Sequence, residues 1–298
     1  MLLMDGRDCL DLLQRISTND VAQLSLGNTI STVFVTEKGK ILGTADLLKS
    51  DAGILLATDR EVCIKLRAWI EHFIIMEDAE IRDVSDKYEC YLIIGGKAHL
   101  ELGLKRPSST GEMVEIRSED IQARVFHATG WHEGCSFALL SAGKTGRDWI
   151  WSSRSRRIEA NILETFRIEQ GIPAYGKELT DQVNPLEAGL TSMVSFTKGC
   201  YVGQEVIARL DTYKKVNRRL AAFVIVGTED ESLQPGLIFD GENGVGRTTS
   251  HCWSYRLGSQ IALGFLKTNV DYTHLTYRKD GEPTVRQVNL LEFPVATN

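Results

Sequence analysis

VSFTKGCYVGQEVIAR, residues 194–209, gathers a lysine, a cysteine, a tyrosine, a glutamine, a glutamate and two glycines into Lys198–Glu205. Val206, Ile207 and Leu210 open an apolar helical face just after Gly203, so the spacing predicts that Cys200 lies on the loop entering a helix. Backbone N–H groups and the helix dipole at such a place favour a thiolate, and Lys198 two residues earlier adds a positive charge. The same residues also fit a tight turn at Gly199 and Gly203, with Cys200 as a small filler beneath it. A cysteine hydrolase would add an imidazole partner and oxyanion donors. His72, His99, His127, His132, His251 and His274 are scattered, and linear order selects none of them.

Upstream, Ile158, Ile162, Leu163, Phe166 and Ile168 recur at helical spacing between Ser155 and Gly171, and Gly171-Ile172-Pro173 ends that helix. Glu169 stands at its end beside a glycine that permits close approach. A carboxylate there is a natural acceptor for the adjacent N–H and amino donors of a pterin or purine ring, or else a solvated helix-end charge. The Tyr175 ring would stack on such a ligand or cap the core. Residues 174–197 carry only short apolar pieces and read as a working loop.

Toward the N-terminus, a helix over RDCLDLLQRI is followed by the polar S-T-N-D stretch and a Gly27-Asn28 turn. Hairpin connections at Lys38-Gly39 and Asp51-Ala52-Gly53 separate short aliphatic runs. Val62, Leu66, Trp69, Ile70 and Phe73 give an amphipathic helix over Asp59–Phe73 that covers a sheet. Strands at Ile81–Val84 and Cys90–Ile94, a short helix over KAHLELGL and a loop at Lys105–Gly111 come next. Without strict βαβ alternation, α+β is favoured. Beyond the basic Lys214-Lys215 and Arg218-Arg219 run, glycine-punctuated strands and the hairpin LTYRKDGEPTVRQV predict a small all-β barrel. The boundary falls near Tyr213, giving regions 1–212 and 213–298, and the basic run reads as a linker or a binding patch.

The 298 residues are 43% apolar and 25% charged with a formal charge of −6, which suits a multi-domain globular protein and gives no global attraction to nucleic acid or anionic membrane. No apolar run approaches the roughly 20 residues of a membrane span, and the start lacks a secretory layout. The chain reads as cytoplasmic, or as organellar without its leader. Six cysteines lie far apart with no C-x-x-C pair, so reduced thiols are expected and a metal site is not.

FRIEQGIPAYGKEL (166–179), NPLEAGL (184–190) and VSFTKGCYVGQEVIAR together resemble the tetrahydrofolate-binding superfamily of glycine-cleavage T-proteins, and within it the YgfZ-type branch. LLQRISTNDV, TEKGKILGTADLL and GVGRTTSHCWSYRLGSQIALGFLK extend the likeness along nearly the whole chain. The resemblance implies a ring-like fold of two interleaved α+β subdomains plus a C-terminal β-barrel, with tetrahydrofolate or a derivative in a central channel. Carried over by position, Glu169 faces the pterin and Cys200 is the signature cysteine beside the folate. Lys198, Tyr201, Gln204 and Glu205 surround it, Tyr175 is a stacking contact, and Arg209 is an anionic-tail contact.

Two departures separate the chain from true aminomethyltransferases. Those carry an acidic residue where this chain has Cys200, and an aspartate three residues before a tryptophan where it has Leu66. A leucine cannot take or orient a proton, although Asp59 or Glu61 lies nearby in sequence. The YgfZ-type likeness implies a folate-dependent accessory role toward iron–sulfur proteins, including tRNA-modifying ones, with assembly or client proteins as partners and no direct nucleic acid or membrane. The location would be cytoplasmic, or the mitochondrial matrix if eukaryotic. The alternatives are a folate-dependent aminomethyltransferase and a nucleic-acid module on the barrel.

Overall fold

In a computed structural model, the described residues are 1–298 except 110, 118–121, 129–130, 132–134, 142–147, 151–155, 230, 269, 271, 273, 283 and 293–298. His132 and the expected helix start at Ser155 lie outside them. The chain divides into two compact units, Met1–Arg157 with Ser192–Gln204, and Ile158–Thr191 with Glu205–Asn298.

Unit 1 is built on two antiparallel sheets. The first is ordered β2-β3-β4-β1-β5, from Leu2–Asp5 (β1), Thr29–Val35 (β2), Ile41–Ser50 (β3), Gly53–Ala57 (β4) and Glu80–Asp83 (β5). The second is ordered β6-β9-β8-β7, from Tyr88–Ile94 (β6), Met113–Arg117 (β7), Gln122–His127 (β8) and Cys135–Ser141 (β9). Leu48 and Leu55 of the first sheet share a core with Met113 and Phe126 of the second. The strands β7 to β9 were not expected from the sequence; β7 pairs with β8, β8 with β9, and β9 joins them to β6.

Helix α1 (Cys9–Ile16) buries Cys9, Leu12, Leu13 and Ile16, and ends where the Ser17 hydroxyl and N–H both return to the Leu13 carbonyl. Helix α2 (Arg60–His72) buries Val62, Cys63, Leu66 and Ile70, the apolar spacing expected of it. Gly43 of β3 lets it come close, since a Cβ there would meet the Val62 side chain at 2.2 Å. The short helix α3 spans Gly96–Glu101.

In unit 2, helix α4 (Ala160–Gln170) ends at Gly171, whose φ of 74° is the left-handed cap that glycine adopts freely. The barrel is closed in the order β10-β13-β12-β11-β14-β15, from Arg218–Ile225 (β10), Gly236–Asp240 (β11), Asn243–Ser254 (β12), Ser259–Lys267 (β13), Leu275–Lys279 (β14) and Val285–Leu291 (β15). Closure leaves no free sheet edge. Phe223, Ile225, Ile238, Ala262, Leu266 and Tyr277 fill its interior. Ile168 of α4 packs on Ala222, Ile261 and Leu263 from outside. The α+β class with a terminal barrel is therefore as the sequence predicts.

Asp46 on β3 is the costly residue of unit 1. It stands level with Ser31 of β2 and Ala57 of β4, and its carboxylate accepts the Ser31 hydroxyl. Burial pushes its pKa from 3.8 up to about 6, with Ser31 opposing and Asp59 adding to the rise. The folded state then holds a proton that the unfolded chain releases, so stability falls as pH rises from about 4 to 6. Asp46→Asn, which keeps an acceptor for Ser31, should be more stable than wild type at pH 8 by about 1–3 kcal/mol, with the gap closing toward pH 4. Urea unfolding across that range checks it; a gap independent of pH would contradict the sign.

In unit 2, Glu178 has no solvent exposure. Its carboxylate receives Arg167 Nη1 at 3.1 Å, the Ala174 N–H at 3.0 Å, and the hydroxyls of Thr249 and Ser250 at 2.5 and 2.6 Å. Helix α4, the loop after it and β12 thus meet on one anion. Glu178→Ala should cost about 3 kcal/mol by urea denaturation, because Arg167 keeps only Glu164 as a counter-charge and four donors lose this acceptor. A loss below about 1 kcal/mol would overturn this account.

Candidate functional site

The signature segment belongs to unit 1 as far as Gln204, and its local structure is set by where its backbone and its one amine are tied. Ser195 N–H donates to the Thr18 carbonyl at 2.9 Å, and the Thr18 hydroxyl donates to the Met193 carbonyl at 2.7 Å. Farther along, Val202 N–H donates to the Arg15 carbonyl at 3.0 Å. Gly203, with φ 82°, sits against the β2–β3 turn, where a Cβ would come within 2.4 Å of the Thr36 carbonyl oxygen. Only glycine fits that left-handed close approach. The second glycine of the signature is therefore explained by packing.

Lys198 is buried, and its ammonium donates to the carbonyls of Ser17 at 2.8 Å and Asn19 at 2.6 Å, just beyond the end of α1. Its Nζ also lies 5.1 Å from the centroid of the buried Tyr201 ring. Burial brings the lysine pKa down to about 8, against the opposing pull of Asp20, and pushes the Tyr201 hydroxyl up to about 12. Cys200 is exposed, so it is not a filler beneath the turn. The helix expected after it, α5 (Gln204–Thr212), begins four residues later than the cysteine.

Glu169 lies in unit 2, on α4, and is buried. Ser254 donates to its Oε1 at 2.5 Å and Arg256 Nε approaches its Oε2 at 3.2 Å. It is a fixed carboxylate rather than a solvated helix-end charge. An ionised carboxylate offers about four lone-pair sites, so each oxygen keeps acceptor capacity. Tyr175, half-buried, bridges to Leu179 in the loop after α4. Glu205 and Arg209 are exposed on α5, in its first and last turns. Unit 1 thus carries Lys198, Cys200, Tyr201 and Gln204, and unit 2 carries Glu169, Tyr175, Glu205 and Arg209.

NPLEAGL takes on a structural meaning that the sequence did not disclose. Asn184 Oδ1 accepts the Glu187 N–H at 2.9 Å and Glu187 Oε2 accepts the Asn184 N–H at 3.1 Å, a reciprocal capping box with Pro185 at its first position. Glu187 also pairs with Arg218 at 3.2 Å, and its carbonyl receives the Leu220 N–H at 2.8 Å. The spacing N-P-x-E was the available signal. Part of the basic run is accordingly structural, since Arg218 is committed to Glu187 and lies over the Phe265 ring.

Leu66, which the resemblance sets against an aspartate of the aminomethyltransferases, has no solvent exposure and lies on the buried apolar face of α2. Asp59 and Glu61, the nearby acids, are exposed. Among the described residues no three His, Cys, Asp or Glu side chains gather as a metal site. No helix among them is long and apolar enough to cross a membrane.

Residues 218–288 match the glycine cleavage T-protein C-terminal barrel domain. A putative chloroplastic transferase of Arabidopsis thaliana is 27% identical over 288 residues, covering 89% of this chain and 62% of that protein. The aminomethyltransferase of Caldanaerobacter subterraneus subsp. tengcongensis is 24% identical over 250 residues, covering 76% and 64%. That of Geobacillus kaustophilus is 28% identical over 289 residues, covering 90% and 77%. The chain thus spans less than two thirds of the length of the first two. The crystal structure of aminomethyltransferase T of the glycine cleavage system from Bartonella henselae superposes with a TM-score of 0.80 at 17% identity, covering 99% of this chain and 83% of that one, which is a likeness of fold. Barrel match and relatives support the glycine-cleavage T-protein superfamily for this chain, and the structural neighbour agrees in fold.

Proposed function

We propose that this protein binds tetrahydrofolate or a folate derivative and serves, as a YgfZ-type accessory protein, in the assembly or repair of iron–sulfur proteins, tRNA-modifying enzymes among them. The observation that carries the folate half is Glu169. Its carboxylate is buried, held by Ser254 and Arg256, and still has acceptor capacity for the paired donors of a pterin edge. Tyr175 would supply a ring face, and Glu205 and the Arg209 guanidinium further polar contacts. The bound folate would supply a carried one-carbon unit or a reduced ring.

The iron–sulfur half is supported by the K-G-C-Y-x-G-Q-E string and by the exposure of Cys200. One thiol cannot hold a cluster, so any metal contact would be completed by ligands of a partner protein. The working compartment would be the cytoplasm or an organelle's interior. A second reading, folate-dependent aminomethyl transfer, is favoured by the relatives, several of which are aminomethyltransferases aligned over most of this chain. Leu66 weighs against it, because a buried leucine handles no proton where those enzymes carry an acid.

Calorimetry should show tetrahydrofolate binding, weakened by about 1–3 kcal/mol in Glu169→Ala, the order expected when buried donors lose their acceptor. Unchanged affinity would remove Glu169 from the site. Cys200→Ser should fold and bind folate as wild type does, yet fail to restore iron–sulfur enzyme activity in a deficient cell. Full restoration would refute the role of the thiol, and methylene transfer to tetrahydrofolate from an aminomethyl donor would establish the second reading.

A further inference from the structure

Within unit 1 the signature segment is tied down on both sides of its cysteine. On one side stand the Ser195 and Thr18 bonds and the Lys198 ammonium; on the other stand the Val202 N–H and the close seat of Gly203. Between them Gly199 and Cys200 are exposed, and beyond its two chain neighbours no heavy atom lies within 4 Å of where a Gly199 Cβ would be. The thiol therefore stands on a crest of two residues whose bases are fixed.

The Lys198 side chain is the anchor nearest that crest. A cation beyond the last turn of α1 meets the negative end of the helix and the carbonyls that no longer bond within it. Ser17 and Asn19 supply two acceptors at 2.8 and 2.6 Å, and the Tyr201 ring closes the seat from within the same segment. Asp20 and Tyr201 are the titratable neighbours; the first favours the charged amine, and burial disfavours it. With its donors aimed at the backbone of residues 17 and 19, this amine is spent on holding the loop.

We propose that Lys198 is a positioning residue, whose ammonium, seated on the Ser17 and Asn19 carbonyls, fixes the crest that presents the Cys200 thiol. This rests on the reading of Cys200 as the working thiol. A structural filler role for the lysine would be served by any long side chain. A positioning role by charge-assisted donation needs a cationic donor.

The test compares wild type, Lys198→Met and Lys198→Arg. Amide hydrogen exchange is followed at residues 199–203, and alkylation of Cys200 by iodoacetamide is followed by peptide mass spectrometry. Lys198→Met should speed exchange at 199–203 at least tenfold and change the alkylation rate severalfold, with barrel strands β10–β15 unaltered. Lys198→Arg, which keeps a charged two-bond donor, should restore both to within about threefold of wild type. Equal behaviour of Met and wild type, or equal loss in Met and Arg, would overturn the proposal. Should Lys198→Met fail to fold, acetic anhydride labelling of the wild-type chain decides: Lys198 should react at least tenfold more slowly than the exposed Lys214, and equal rates would refute the seat. A Cys200→Ser variant that fully restores iron–sulfur enzyme activity would refute the functional reading while leaving these exchange and alkylation results to judge Lys198.

Discussion

The constraint on which both units depend is the irregular run between α4 and α5. Residues 172–203 contain little regular structure, so their backbone groups cannot satisfy one another in a ladder and must find partners elsewhere. Three buried charged side chains supply what apolar packing does not. Glu178 gathers the start of the run against α4 and β12, Glu187 fixes its middle to β10, and Lys198 fastens its end to the residues after α1. Each is paired or multiply hydrogen-bonded, as a buried charge must be. Burial would raise the Glu164 carboxyl, but the bonds and charges of Arg167 and Lys177 outweigh it and bring it down to about 2, so Glu164 stays ionised well into acid pH.

This arrangement explains which parts of the fold were legible in the sequence. Helix α2 was, because Val62, Leu66 and Ile70 mark one buried face at the helical period. The barrel was, because glycine turns at Gly241, Gly258 and Gly281 separate successive short strands. Of the second sheet of unit 1 only β6 was: β7 and β8 are short, and their alternation means nothing until β9 is placed between β8 and β6. Register between distant strands is a tertiary property.

The site residues divide along the same line. Cys200 and Glu169 could be singled out from residue type and neighbours, because a thiol among glycines and an acid at a glycine-capped helix end are local facts. The partners that fix Glu169 could not, since Ser254 and Arg256 lie more than 80 positions away. The same holds for Lys198, whose carbonyl acceptors are 179 and 181 positions distant. From the string alone its charge belonged beside the thiol; the folded chain commits that charge to the backbone of another segment. Asn184 and Glu187 are the intermediate case, a local motif whose pairing with Arg218 is again remote.

Chemically, the two ends of the proposal ask for opposite environments. A heterocycle read through donor pairs is discriminated best by an acceptor that is withdrawn from water and unable to turn, because a competing ligand without those donors then leaves it unpaired. Glu169, held from two sides, meets that requirement. A thiol meant to meet another macromolecule needs the reverse: access without burial, and little freedom to lose on contact. An exposed cysteine on a loop pinned at Lys198 and Val202 has both, since the ordering of the loop is already accomplished before any partner arrives. An aminomethyl transfer confined to a sealed pocket would gain nothing from such exposure. On the proposed reading, the exposed cysteine suits service to a partner more than a closed catalytic cycle.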